Sequence, residues 1–201
     1  MKRPLLLGLT GSIGMGKSTT AALFSEAGMP VWDADAAVHR IYAAGGPAVE
    51  PIRAAFPDAV IDGAVSRDAL RARLRDDPGA LQRLEAIVHP LLAEDRAAFI
   101  DASRRSGAPL AVFDIPLLFE TGLDAQMDAS LVVTAPAEVQ RARVFDRPGM
   151  TEAQLNTLLA RQMPDAEKRA RADHVIETRS IDQTRRDVQD LIRILTEGRD
   201  A

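Results

Sequence analysis

The 201-residue chain contains no cysteine, which excludes disulfides, thiolate metal sites and a cysteine nucleophile together. It also lacks a basic block at either end, and its formal net charge is only -4. A large footprint on nucleic-acid phosphates is therefore not expected. Long apolar runs are missing as well: the leucines of MKRPLLLGLTG stop at Gly8, too soon for a signal-peptide core or a membrane span. A cytoplasmic protein is expected. No internal repeat or low-complexity segment is visible, and with 46% apolar and 27% charged residues the composition is that of an ordinary folded domain. The length suits one domain, with room for an insertion.

What the chain does have is alternation. Residues 5 to 9 are a continuous apolar run, and helical patterning from Lys17 to about Ala27 follows a glycine-rich stretch. MPVWDAD reads as a short strand ending in two acids, and AAVHRIYAA as a helix stopped by Gly45-Gly46-Pro47. The pattern is then almost wholly helical to about Gly107, with a break at PDAVIDGAVS that suits a tight hairpin or a loop. Strand patterns resume at PLAVFDIP, ASLVVTAP and DHVIETRS. Five strands alternating with helices imply a parallel α/β sheet, and the excess helix between about 46 and 107 implies an inserted subdomain.

Gly11, Gly16, Lys17 and Ser18 complete the pattern G-x-x-x-x-G-K-[ST] between the first strand and the first helix. Glycines let successive backbone N–H groups turn onto phosphate oxygens, Lys17 reaches the β and γ phosphates, and the Ser18 hydroxyl can coordinate Mg²⁺. The helix that starts near Lys17 points its positive end at the same anion. Asp33 and Asp35 stand at the carboxyl end of the second strand, where a carboxylate can take a proton from a hydroxyl or hold a metal-bound water. One of them could instead cap the following helix. Asp114 ends LAVFD, where a metal-site carboxylate would stand, or where a turn residue would. Arg141, Arg143 and Arg147, then Arg161, Lys168, Arg169 and Arg171, form a basic run in an acidic chain. It reads as a lid over nucleotide phosphates or as a solvated helical face.

With these residues assembled, the chain resembles the dephospho-coenzyme A kinase family over nearly its whole length. The motifs are GLTGSIGMGKST, VWDAD followed by Arg40, LEAIVHP with His89 and Pro90, DIPLLFE, Gln140-Arg141, RPGM, RQMP and Ala172-Asp173. The resemblance implies a P-loop-kinase-like fold: a five-stranded parallel sheet flanked by helices, with a helical substrate-binding insert and a helical lid. The core would be about 1–45, 108–139 and 172–201, the acceptor-binding insert about 46–107 and the lid about 140–171. It implies ATP-dependent phosphorylation of the ribose 3′-hydroxyl of dephospho-coenzyme A with Mg²⁺, and small-molecule substrates only. Another small-molecule kinase, for a nucleoside monophosphate or a sugar acid, or a P-loop ATPase switch are the alternatives.

Carried over by residue, Asp35 is the expected base, with Asp33 beside it and Lys17 and Arg147 acting on the phosphoryl group. Gly14, Met15, Gly16, Lys17, Ser18, Thr19 and Arg143 are the expected nucleotide contacts, and Ser18 and Asp114 the expected metal ligands. Thr10, Asp35, Arg40, His89 and the stretch Pro116, Leu117, Leu118, Phe119, Glu120 are the expected acceptor contacts; a buried histidine under the insert is the other reading of His89. Four departures stand out: Ser12 stands where a second glycine is commoner, and His39 takes a place often held by alanine. Met15 occupies a place where the family often has serine, and Glu177-Thr178-Arg179 replaces the asparagine that usually follows the last strand.

Overall fold

The apolar runs become strands buried on both faces, as a parallel sheet under helices requires. In the computed structural model, which describes residues 2–160 and 162–197, β1 (Leu5–Thr10) leads through the glycine loop into α1 (Lys17–Glu26), and β2 (Val31–Asp33) leads into α2 (Ala34–Tyr42). Next come α3 (Val49–Ala55), a 3₁₀ turn (Pro57–Ala59), β3 (Val60–Ile61), β4 (Ala64–Val65), α4 (Arg67–Asp76) and the long α5 (Ala80–Arg105). The described chain ends with β5 (Leu110–Asp114), a 3₁₀ turn (Leu123–Gln126), β6 (Ala129–Thr134), α6 (Ala137–Phe145), α7 (Glu152–Leu159), α8 (Asp165–Arg171), β7 (His174–Glu177) and α9 (Ile181–Glu197).

The main sheet has five strands in the order β2-β5-β1-β6-β7. β1 lies at its centre, parallel to β5 with Leu9 opposite Asp114, and parallel to β6 with Thr10 opposite Val132. β6 and β7 are also parallel. Every residue of β5 and β6 is buried, which is why both read as unbroken apolar runs. All five expected strands are present. The parallel arrangement brings Thr10, Asp114 and Thr134, the last residues of β1, β5 and β6, to one edge of the sheet, the edge at which such folds bind ligands.

By internal packing the chain divides into two units: residues up to Trp32 together with those from Ala102 on, and residues Asp33–Asp101. The first packs Leu7, Leu9, Val112, Leu131 and Val133 of the sheet against Leu23 and Phe24 of α1 and Val188 and Leu191 of α9. The second has its own apolar core, in which Ile41, Ile52, Phe56, Leu70 and Val88 are buried. The break at PDAVIDGAVS is an antiparallel hairpin in which Val60 faces Val65. It turns through Asp62 (φ 49°) and Gly63 (φ 78°), the left-handed pair that a two-residue hairpin loop demands. Among the described residues no helix is long and apolar enough to cross a membrane.

Candidate active site

The glycine loop between β1 and α1 needs its glycines for shape. Gly14 (φ 78°) and Gly16 (φ 87°) are left-handed, a conformation that a Cβ strains. Space forbids a side chain as well: a Cβ on Gly14 would lie 2.6 Å from Val144 Cγ2, and one on Gly16 would lie 2.8 Å from Thr178 Oγ1. α1 starts with Gly16 as its N-cap, without a side-chain cap and without an acid in its first turn. Its first N–H groups and the positive end of its dipole are thus left for an anion.

Neighbouring elements hold the loop by its backbone. Gln140 Nε2 of α6 donates to the Ile13 carbonyl at 2.8 Å, and the Ile13 N–H donates to Gln162 Oε1 at 3.4 Å. Met15 is 5% exposed and belongs to the core, and its sulfur accepts the Ala135 N–H at 3.0 Å. Its side chain therefore anchors the loop from below, which explains an apolar residue at that place. The Thr178 hydroxyl donates to the Met15 carbonyl at 2.9 Å. Arg143 donates to the Thr178 hydroxyl at 2.8 Å and to the Thr178 carbonyl at 2.6 Å, with the Gly14 carbonyl 3.5 Å away.

Lys17 is paired with Asp114. The carboxylate, only 3% exposed, ends β5, and an ion pair is what makes so buried a charge tolerable. Ser18 and Thr19 are exposed on the first turn of α1. A hydroxyl and a carboxylate are the hard oxygen donors that suit Mg²⁺, which keeps most of its shell for water and phosphate. The residues present therefore fit that ion. Thr10 is fully buried, and its hydroxyl donates to the Pro116 carbonyl at 3.0 Å.

In the segment after β5, Leu117 is exposed, while Leu118 and Phe119 are buried, Leu118 against the backbone at Gly8. The Arg171 guanidinium lies 4.8 Å from the centre of the Phe119 ring. Glu120 takes part in an ion pair with Lys168 at 2.9 Å and accepts the Met163 N–H at 2.7 Å. Burial pushes the Glu120 carboxyl up, but the bonds from Lys168 and the Met163 N–H prevail and hold it below its ordinary value.

In the second unit, Asp33 caps α2 by accepting the Ala36 N–H at 2.8 Å, while Asp35 lies in the first turn with its side chain exposed. Capping and a free carboxylate are thus divided between the two acids. Arg40 donates to both oxygens of Asp95, at 2.6 and 3.2 Å. His89 is exposed, so the buried-histidine reading is corrected. Pro90 stands inside α5 without ending it.

The basic run is resolved into individual roles. Arg141 pairs with Glu152 at 2.6 Å, Arg169 with Asp165 at 2.9 Å and Arg171 with Asp124 at 3.1 Å. Arg147 is exposed beyond the end of α6, and Arg161 lies outside the described residues. A cavity of about 480 Å³ opens beside the loop, lined by Met15, Pro136, Gln140, Asp165, Arg169 and Glu177 among others.

The sequence profile of the dephospho-CoA kinase family matches residues 5–183. The chain belongs to the dephospho-CoA kinase family. A dephospho-CoA kinase of Jannaschia sp. is 62% identical over 192 residues, 96% of this chain and 97% of that one. A crystal structure of a Thermus thermophilus protein is similar at a TM-score of 0.81 with 39% identity, covering 97% of this chain and 100% of that one. A dephospho-CoA kinase from Campylobacter jejuni shares the fold at a TM-score of 0.72 and 23% identity, over 96% of this chain and 98% of that one. The resemblance read from VWDAD, LEAIVHP and DIPLLFE names the same family, and membership makes ATP the co-substrate.

Three polar residues of this kinase chain are prominent in the structure and were not singled out from the sequence. In the sequence Gln140 stands only as part of a motif, Thr178 as a departure, and Lys168 as one cation of a lid. Lys168 is instead fully buried. No signal in the sequence marks it out, because its partners Glu120 and Pro116 lie on a distant segment.

Proposed function

We propose that the protein transfers the γ-phosphoryl group of ATP to the ribose 3′-hydroxyl of dephospho-coenzyme A, giving coenzyme A and ADP. The observation that supports this most is the family match over residues 5–183. The glycine loop, with its uncapped helix start and the Lys17–Asp114 pair, supports phosphate binding. In this reading Gly14, Met15, Gly16, Lys17, Ser18 and Thr19 hold the phosphates, and the neighbouring cavity, with Arg143 near it in sequence, serves the rest of the nucleotide. Lys17 and Arg147 offset the charge of the transferring group. Mg²⁺, when bound, neutralises further phosphate charge; Ser18 and Asp114 would hold it.

Asp35 accepts the proton of the acceptor hydroxyl, and Asp33 sets the helix that carries it. Arg40, His89 and the segment Pro116–Glu120 contribute to the acceptor site, with Leu117 the exposed apolar member and Thr10 supporting the segment through Pro116. Residues of about 46–107 form the acceptor-binding insert and those of about 140–171 the lid. The reading has the protein at work in the cytoplasm on small molecules, without membrane, nucleic acid or obligatory protein partner.

The test uses purified protein, ATP, Mg²⁺ and a panel of acceptors: dephospho-coenzyme A, nucleoside monophosphates and sugar acids. ADP release should depend on dephospho-coenzyme A, and the product should carry its new phosphate on the 3′-oxygen. ADP release that is substantial without that acceptor, and not increased by it, overturns the reading.

A further inference from the structure

Lys168 is 0% exposed, although lysine is almost never fully buried unless something specific holds its charge. Two groups do so here. Glu120 Oε1 lies 2.9 Å from Nζ, and the Pro116 carbonyl accepts from Nζ at 3.4 Å. Both partners belong to the segment that leaves β5, and Lys168 bonds it at two points four residues apart.

The same segment is tied to the phosphate loop. The Pro116 carbonyl also accepts from Thr10, the residue that precedes Gly11. Two residues before Pro116 stands Asp114, the partner of Lys17. At the other end, Glu120 accepts the Met163 N–H, just ahead of α8, and Arg171 of α8 covers Phe119 and pairs with Asp124. A line of polar contacts thus runs Lys17, Asp114, then through the chain to the Pro116 carbonyl, Lys168, Glu120 and the Met163 N–H. Its members alternate in charge. Replacing an ion pair around a buried charge with apolar groups is often neutral or favourable for folding, so stability is a poor explanation for a buried lysine in this place.

We propose that Lys168 is a positioning residue for phosphoryl transfer. It does not touch substrate; it holds the segment Pro116–Glu120 against the end of β1, and so sets the acceptor side of the site. Glu120 must be ionised for this, in keeping with its depressed carboxyl. This inference rests on the activity proposed above.

The experiment compares the parent with Lys168→Met, Lys168→Arg, and the double variant Lys168→Met with Glu120→Leu, in which no charge is left unpaired. Melting temperature, ATP affinity by calorimetry, and kcat and KM for dephospho-coenzyme A are measured on each. Both methionine variants should lose tenfold or more in kcat/KM for the acceptor while ATP affinity stays within threefold. Lys168→Arg should recover a large part of that loss, and the double variant should stay slow although it melts near the parent. A cooperatively folded double variant with parental kcat/KM overturns the proposal, and so does failure of all three variants to fold, since the pair would then hold only the fold. A parent inactive on dephospho-coenzyme A is a different failure, that of the proposed function.

Discussion

The two units handle polarity in opposite ways. Each of the ten buried polar or charged side chains among the described residues lies in the first unit: Thr10, Ser12, Thr20, Ser103, Asp114, Ser130, Thr134, Lys168, Thr178 and Thr184. The second unit buries apolar side chains and the Tyr42 ring, and its candidate site residues Asp33, Asp35, Arg40 and His89 are all exposed. In the proposed reading the first unit would meet a charged ligand with groups whose geometry is set before the ligand arrives, which is how preorganised dipoles act most strongly. The second offers side chains from the surface of a conventional core. Substitutions in the two should therefore separate chemistry from stability in different ways.

The largest effect is expected at Asp35. Asp35→Asn should lower kcat by roughly 10²–10⁴-fold, the range for loss of a general base, with ATP affinity and melting temperature unchanged, because the carboxylate is exposed. Collapse of ATP binding in calorimetry would reassign it to the nucleotide and erase the contrast between the units. Next is Thr178→Val, which keeps shape but strips a buried hydroxyl from Arg143 and the Met15 carbonyl. It should cost about 1–3 kcal/mol of stability and weaken ATP binding together, as read by denaturant titration and calorimetry. Ile52→Val in the other core should cost about 0.5–1.5 kcal/mol and leave ATP affinity alone.

The smallest effect concerns acid. Bonds from the Ser130 hydroxyl and N–H hold the Asp173 carboxyl below its ordinary 3.8, against an opposing push from burial. The unfolded chain then binds more protons, so the stability that Asp173 supplies is complete above that ordinary value and fades as pH falls through the lower folded one. Asp173→Asn should flatten the acid limb of a stability–pH curve. Asp77 of the second unit is lowered by Arg83 and the Gly79 N–H at the surface. Asp77→Asn should act in the same direction but more weakly, and the effect should shrink at about 1 M salt, where the Debye length is only ~3 Å.

Much of the first unit was legible because its requirements are local. A buried parallel strand must be apolar throughout, and a loop with two left-handed residues must carry glycine there, so β1, β5, β6 and the run Gly11–Ser18 declare themselves in one dimension. Asp33 and Asp35 were legible as a pair, but not which of them caps: that depends on where α2 begins, to the residue. Met15, Thr178 and Lys168 were opaque for a common reason. Their partners Ala135, Arg143 and Glu120 lie 120, 35 and 48 positions away, and nothing in the spacing of a methionine, a threonine or a lysine tells that a distant element will bury it. Lys168 in particular sits among cations that do face solvent, and composition cannot tell it from them.

Trp32 is the chain's single tryptophan. It is 4% exposed, packs 5.9 Å from Phe113, and directly precedes Asp33, while Phe113 directly precedes Asp114. The protein therefore contains one indole, carried by the strand that leads to the candidate base and packed on the strand that ends in a candidate metal ligand. Its emission can be assigned without ambiguity. In a chain without cysteine, an acceptor dye placed on an introduced thiol would label that position alone, so a single calibrated distance from β2 can be compared with and without nucleotide.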